Sequence, residues 1–405
     1  MTEIQYGARA DSLRRFGVVD GHNDLAWALR QAGAAGRAAD LSARVPFTHT
    51  DLPRLAAGGV AGQFWSVYVP AELAGDAAVA TTLEQIDLVR ELIASYPAAL
   101  ELALTAAAAE RIISAGKISS LLGAEGGHSI ACSLPVLRAL YALGVRYLTL
   151  THNRNVPWAD SATDEPVAGG LTAFGREVVR EMQRLGMLVD LSHVAPTVMA
   201  DALDEAAAPV IFSHSSARAI CDHPRNVPDE ILARLPGNGG LCMVTFVPPF
   251  VSPDCRAWEL DLAAEAARQG LDYRQLSARG ELHEWVAAHP PPAATVAQVA
   301  DHVEHVRGVA GIAHVGIGGD FDGTDQLPAG LPDVAAYPAL FAELAGRGWS
   351  DADCELLARG NVLRVLRDAE AAARLISASR SPSQARMEDL DAAADPAPSA
   401  PAAVR

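Results

Sequence analysis

Histidines and carboxylates recur in this chain at the ends of short β-branched or apolar runs. The first run is Val18-Val19-Asp20-Gly21-His22-Asn23-Asp24, a strand-like stretch ending in His-x-Asp. Side chains alternate along a strand, so residues two apart share a face, and His22 and Asp24 can point the same way. Glu125 follows the run at 118–124, His152 the run at 145–150, His193 the run at 187–191 and His214 the run at 209–213. Asp320 follows the run at 314–318. Three imidazoles and two carboxylates, from His22, Asp24, Glu125, His193 and His214, form a nitrogen and oxygen donor set. Such a set suits zinc or a similar divalent ion with no thiolate. Five donors exceed what one catalytic zinc takes, because that site keeps a position open. They serve two metals if one carboxylate bridges, and Glu125 is the natural bridge. Two metals about 3.5–4 Å apart can hold a hydroxide between them and polarise a carbonyl. Any one of these histidines alone would read as a satisfied core residue; five strand-end donors together favour a site. His49, His283, His289, His302 and His305 lie in polar contexts or on a polar helix face and are expected to face solvent.

The elements that must position these groups follow from the same runs. Further strand-like stretches lie at 59–69 and 240–246, which brings the total to eight. Helical spacing fills most gaps, with segments predicted at 82–96, 172–185, 196–207 and 296–309. Eight strands alternating with helices predict an α/β fold, a (β/α)8 TIM barrel, over a doubly wound open sheet. In a barrel the C-terminal strand ends share one rim, where donors from different strands can meet. A helical insertion at 247–292, between strands 7 and 8, is expected to cover the barrel mouth or form an oligomer contact. Residues 1–376 are read as a single metallohydrolase domain. The Ser-, Ala-, Pro- and Asp-rich segment 377–405 is read as a mostly disordered tail.

Composition narrows the partners. The 405 residues carry 32 Lys and Arg against 49 Asp and Glu, a formal net charge of −17, which argues against nucleic acid or an anionic membrane. Five cysteines without a C-x-x-C pair suggest free thiols in a reducing compartment. With no signal-peptide core near Met1 and no apolar stretch of about 18 residues, a cytoplasmic, soluble protein is expected.

Seven motifs in order now carry a resemblance. They are DGHND at 20–24, EGGHS at 125–129, TLTHN at 149–153, DLSH at 190–193, SHSS at 213–216, HPRNVPD at 223–229 and GGDFDG at 318–323. Together they resemble the membrane (renal) dipeptidases and their bacterial relatives, amidohydrolase-like metal-dependent hydrolases, over residues 16–366. The resemblance implies two Zn2+ per chain in a (β/α)8 barrel. His22 and Asp24 would hold one, His193 and His214 the other, with Glu125 bridging. It implies that His152 contacts the substrate near the scissile carbonyl, that Arg225 holds the substrate's C-terminal carboxylate, and that Asp320 shuttles the proton. It further implies cleavage of dipeptides, those with a C-terminal D-residue included, and a homodimer. The chemistry is consistent with these roles. Asp320 can accept a proton from an activated water and return it to the leaving amine. Arg225 offers a planar fork for a carboxylate; its alternative is a salt bridge to Asp222 or Asp229. Asp322 is read as structural. The membrane anchor and disulfides of vertebrate members are not carried over, and the apolar stretch 247–250 is expected to border the substrate pocket. Competing readings are another amidohydrolase-type enzyme (a lactonase, deaminase or N-acyl-amino-acid hydrolase) or a non-catalytic metal- or peptide-binding barrel. Arg225 separates the first from a dipeptidase, and Asp320 argues against the second, since a pure binder needs no proton shuttle.

Overall fold

Alternation along short parallel strands builds the molecule. The computed structural model describes residues 17–37, 39–272 and 280–392. Its strands are β1 Val18–Asn23, β2 Val60–Tyr68, β3 Leu100–Leu102, β4 Ile118–Glu125, β5 Val145–Thr149, β6 Leu188–Asp190, β7 Val210–Phe212, β8 Leu241–Val244 and β9 Val315–Ile317. The order β1-β2-β4-β5-β6-β7-β8-β9 makes a round of eight parallel strands. The round returns on itself where Asp24 N donates to Phe321 O at 2.9 Å and Asp320 N to His22 O at 3.2 Å. This is the (β/α)8 barrel, and each of the eight predicted runs supplies one of its strands. β3 was not anticipated. It is three residues long and pairs only with 118–120, before β5 takes up the ladder at Leu122.

The inward face can be read by parity. Val19, Leu121, Tyr147, Leu188, Ile211 and Leu241 belong to one buried cluster inside the barrel, which continues into Val362 and Leu366 of helix Asn361–Ser379. Their neighbours Val18, Leu122, Leu148, Val189, Phe212 and Cys242 pack outward with the helical layer. Further along β4 to β7 the inward face turns polar: Glu125, past Gly123, on β4, Thr149 on β5, Asp190 on β6, and Ser213 just past β7. An apolar plug therefore fills the lower barrel and a polar layer crowns it at the strands' C-terminal end.

The predicted helices occur as Gly75–Ser95, Ala173–Leu185, Pro196–Glu205 and Val296–Ala310. Thr172 caps the second through Gly175 N, and Thr295 with Gln298 forms a full capping box on the last. Among the described residues no helix is long and apolar enough to cross a membrane.

Three expectations are corrected. The tail 377–405 is not disordered through its first part. Helix Asn361–Ser379 runs into it, and a short helix Met387–Asp391 docks on the barrel. Asp391 accepts from Thr172 Oγ1 at 2.9 Å and Phe174 N at 3.0 Å, while Met387 and Leu390 pack on the core. Residues 393–405 lie outside the described residues. His302 does not face solvent. It is fully buried, accepting from Ala217 N and contacting Val251 O, both at 3.0 Å, because an imidazole can satisfy two backbone groups at once. His49 and His305 are only partly exposed; His49 accepts from Asp322 N at 3.0 Å and His305 pairs with Asp229 at 2.8 Å. The insertion contains helices Pro248–Val251, Pro253–Arg268 and His283–Ala288, with 273–279 outside the described residues.

Candidate active site

Glu125 stands at the centre of the polar layer. Parity from Leu121 through Gly123 aims it inward, and its two oxygens face different donors. Oε2 lies 3.4 Å from His22 Nε2 and accepts from Ser66 Oγ at 3.1 Å. Oε1 lies 3.1 Å from His193 Nε2, 3.5 Å from His214 Nε2 and 3.7 Å from His152 Nε2. Asp24 Oδ2 lies 3.2 Å from His22 Nε2. His193 Nε2 and His214 Nε2 are 3.0 Å apart. Two nitrogens on one tetrahedral zinc stand roughly 3.3 Å apart at ordinary bond lengths. The barrel rim thus brings together all five predicted donors, with His152 and Asp320 beside them. The compact groups are His22, Glu125 and His214; Glu125, His152 and His193; and His22, Asp24 and Asp320. They cut across the predicted pairing of His193 with His214, and they bring Asp320 and His152 within donor range.

Hydroxyl groups aim two of the imidazoles. Tyr147 donates to Gly21 O at 3.3 Å, so its oxygen accepts from His22 Nδ1 at 2.8 Å. Ser213 donates to Asp190 Oδ2 at 2.6 Å, so its oxygen accepts from His214 Nδ1 at 2.8 Å. In each case the hydrogen sits on Nδ1, and Nε2 is left to act as a donor toward a metal. Tyr147 reaches His22 only because residue 123 is glycine; a Cβ there would collide with the Tyr147 ring. Asp190 is further held by Thr149 Oγ1 at 2.6 Å and Ser213 N at 2.8 Å. Asp20 plays the same part at the barrel's closing seam, accepting from Gly319 N and Tyr337 Oη, both at 2.7 Å. Sequence reading missed Tyr147, Asp190 and Ser213 as supports. An acid inside the apolar run 187–191 was the available signal.

Backbone strain is concentrated here. His193, Asp320 and Asp322 have φ of 69°, 60° and 67°. Left-handed non-glycine residues cluster at functional sites when the surroundings over-determine them. Asp322 is held by His49, whose backbone N donates to Oδ1 at 2.6 Å, in keeping with a structural part.

The electrostatics favour a cation. Asp24, Glu125 and Asp320 converge, and Arg225 is the cation beside them. Burial, with Asp24 and Glu125 adding to it, pushes Asp320 well above the usual carboxylate range. Burial likewise raises Glu125. Burial pushes His22 down, but Tyr147, Glu125 and Asp24 outweigh it and hold its imidazole well above the ordinary value. The pull that draws a proton onto His22 is the pull a divalent ion would feel. Burial first, and Arg225 and neighbouring histidines next, keep His152, His193 and His214 well below the ordinary value, as neutral rings with lone pairs to offer. His22 Nε2 and Asp24 Oδ1 are buried without a hydrogen-bond partner. Orphaned donor atoms, three convergent carboxylates and neutral imidazoles fit a metal centre.

Arg225 is fully buried and pairs with neither Asp222 nor Asp229. Its Nη1 donates to Ser215 Oγ and its Nη2 to His214 O, both at 3.2 Å, and Nε is left without a partner. Burial pulls the guanidinium down to about 10, so it stays charged at neutral pH. Phe250, of the apolar stretch 247–250, lies under the guanidinium at 5.3 Å.

A barrel whose rim gathers histidines and carboxylates around one central glutamate defines a metal-dependent hydrolase. The membrane dipeptidase family (peptidase family M19) matches residues 8–380, and the chain belongs to it, as a metal-dependent dipeptidase. It is 43% identical over 371 residues to dipeptidase 3 of Macaca fascicularis, covering 90% of this chain and 67% of that protein. The chain thus spans about two thirds of the length of such relatives. Its fold is similar to the probable dipeptidase PvdM from Pseudomonas aeruginosa, with a TM-score of 0.81 at 23% identity over 92% of this chain and 100% of that one. A metallopeptidase from Rhodobacter sphaeroides, solved with a phosphinate mimic of the dipeptide L-Ala-D-Ala, superposes with a TM-score of 0.71 at 25% identity over 87% and 99%.

Proposed function

We propose that this chain hydrolyses dipeptides bearing a free C-terminal carboxylate, those with a C-terminal D-residue among them, with two divalent ions, zinc foremost. His22 and Asp24 would hold one ion, His193 and His214 the other, and Glu125 would lie between them. The observation that carries this reading is the division of Glu125: Oε2 toward His22 and Oε1 toward His193. When bound, such ions would supply Lewis acidity, lowering the pKa of a water molecule and polarising the scissile carbonyl.

The chain's own groups supply the rest. Arg225, a buried charge with an unpartnered Nε, takes the substrate carboxylate. An anchor fixed relative to Glu125 sets the distance from that carboxylate to the scissile bond, which favours dipeptides over longer chains. His152 is neutral and faces Glu125 Oε1, so an N–H there can donate to the carbonyl oxygen as negative charge builds on it. Asp320 has a carboxyl that holds a proton readily, so it accepts one from water and passes it to the leaving amine. The L-Ala-D-Ala mimic bound by the Rhodobacter sphaeroides relative supports tolerance of a D-residue.

Amine release from matched L-Xaa-L-Xaa and L-Xaa-D-Xaa series, with zinc-loaded and chelated protein side by side, tests the reading. The expected result is chelator-sensitive turnover of both series, with dipeptide amides and tripeptides much poorer. Metal-loaded protein that turns over no dipeptide would overturn it and move the search to other amides and lactones.

A further inference from the structure

The proposed carboxylate anchor is held from the insertion as well as from the barrel. The Arg225 backbone N donates to His223 Nδ1 at 3.0 Å, so the His223 ring carries its hydrogen on Nε2. That Nε2 meets Glu259 Oε2 at 3.0 Å. Glu259 lies on helix Pro253–Arg268, and the same oxygen, Oε2, also accepts from Arg256 Nη1 at 2.6 Å. The His223 ring, itself 3% exposed, packs on Phe250 at 4.2 Å between centroids, and Phe250 in turn lies under the Arg225 guanidinium. Asn226, the residue after Arg225, donates to Phe250 O at 2.7 Å. The barrel side gives Arg225 only two hydrogen bonds, both long at 3.2 Å.

We infer that Glu259, acting through His223, is a positioning residue for substrate carboxylate binding, and that the insertion helix thereby sets the affinity of the site for free dipeptides. The inference rests on the reading of Arg225 as the carboxylate anchor. Glu259 touches no substrate atom. Its carboxylate orients the imidazole, the imidazole holds the Arg225 amide, and the Phe250 face under both keeps the guanidinium aimed. An ion pair that only tied helix to loop would affect all substrates alike; a positioning residue affects those that use the anchor.

The test compares KM and kcat for L-Ala-D-Ala and its C-terminal amide in Glu259→Gln, with Glu265→Gln as control. Glu265 lies on the same helix and, among the described residues, accepts hydrogen bonds from Arg268 and Gln269. A lost charge-assisted hydrogen bond in a relay predicts that KM for the free acid rises roughly 5–20-fold, with kcat within about twofold. KM for the amide and both parameters in the control stay at wild-type values. In an Arg225→Lys background Glu259→Gln adds no further rise, because the two act as one unit. An unchanged KM, a parallel shift for acid and amide, or additivity with Arg225→Lys would overturn the inference. The same acid-to-amide ratio read as Kd on Asp320→Asn needs no turnover. Failure of the wild-type protein to cleave dipeptides would therefore sink the dipeptidase reading alone, and the Kd ratio would still decide the part of Glu259.

Discussion

Ser213 Oγ stands 2.8 Å from Nδ1 of His214, and the same hydroxyl donates to Asp190 at 2.6 Å. The carboxylate thus fixes the hydroxyl and the hydroxyl fixes the ring. Removing such an outer partner typically costs about 10–100-fold in metal affinity. Ser213→Ala is expected to weaken metal binding by about that factor, read by competition with a chelator of known affinity. Unchanged affinity would mean that the ring is aimed by packing alone.

Proton transfer is the role proposed for Asp320. Asp320→Asn keeps the shape and one acceptor oxygen but cannot take the proton. General acid–base catalysis is worth about 10²–10⁴-fold, so kcat should fall by that much. Bound metal, measured by elemental analysis, should stay at the wild-type count. Loss of metal in this variant would recast Asp320 as a ligand, in line with its proximity to His22 and Asp24.

Gly323 borders two of these carboxylates. A Cβ at that position would collide with Asp320 Oδ1 and Asp24 Oδ2. Gly323→Ala should therefore shift both groups, and a misplacement of about 1 Å can cost roughly 10²-fold in rate. Activity is expected to fall by that order while the unfolding temperature moves by only about 1–2 °C. Retained activity would show that the two carboxylates have slack.

His302 predicts a pH dependence of stability. Burial lowers it from 6.5 to about 4 in the folded chain. As pH falls below 6.5 the unfolded chain takes up the proton first. The contribution of neutral His302 is therefore complete above pH 6.5 and is lost as the pH drops to about 4. Between pH 8 and pH 5 the loss comes to about 2 kcal/mol. His302→Gln can keep a donor and an acceptor for Ala217 and Val251 without titrating. In urea unfolding it should lose about that much less than wild type over the same interval. Equal losses in the two proteins would contradict the assignment.

The barrel and the convergence of its strand-end histidines and carboxylates were legible because both follow from local pattern. Period-two runs mark strands, and a donor just past each run lands on one rim once the strands close. Glu125 and His22 needed nothing more. What was hidden depends on residues far apart in sequence. His302 looked polar on its helix, yet its partners lie 85 and 51 residues away. Tyr147 reads as one more strand aromatic until Gly123, on the neighbouring strand, opens the gap to His22. The segment after Ser377 has a disorder-like composition, but Asp391 meets the Phe174 amide and the Thr172 hydroxyl at the N-terminus of helix Ala173–Leu185, a contact that composition does not encode.

The central claim is that Glu125 divides two metal ions. The most direct measurement is an anomalous difference map from crystals grown with zinc, collected on either side of the zinc edge. Two peaks about 3.5–4 Å apart are predicted, one near His22 and Asp24 and one near His193 and His214, with a Glu125 oxygen on each. A single peak, or a second one away from Glu125, would contradict the account.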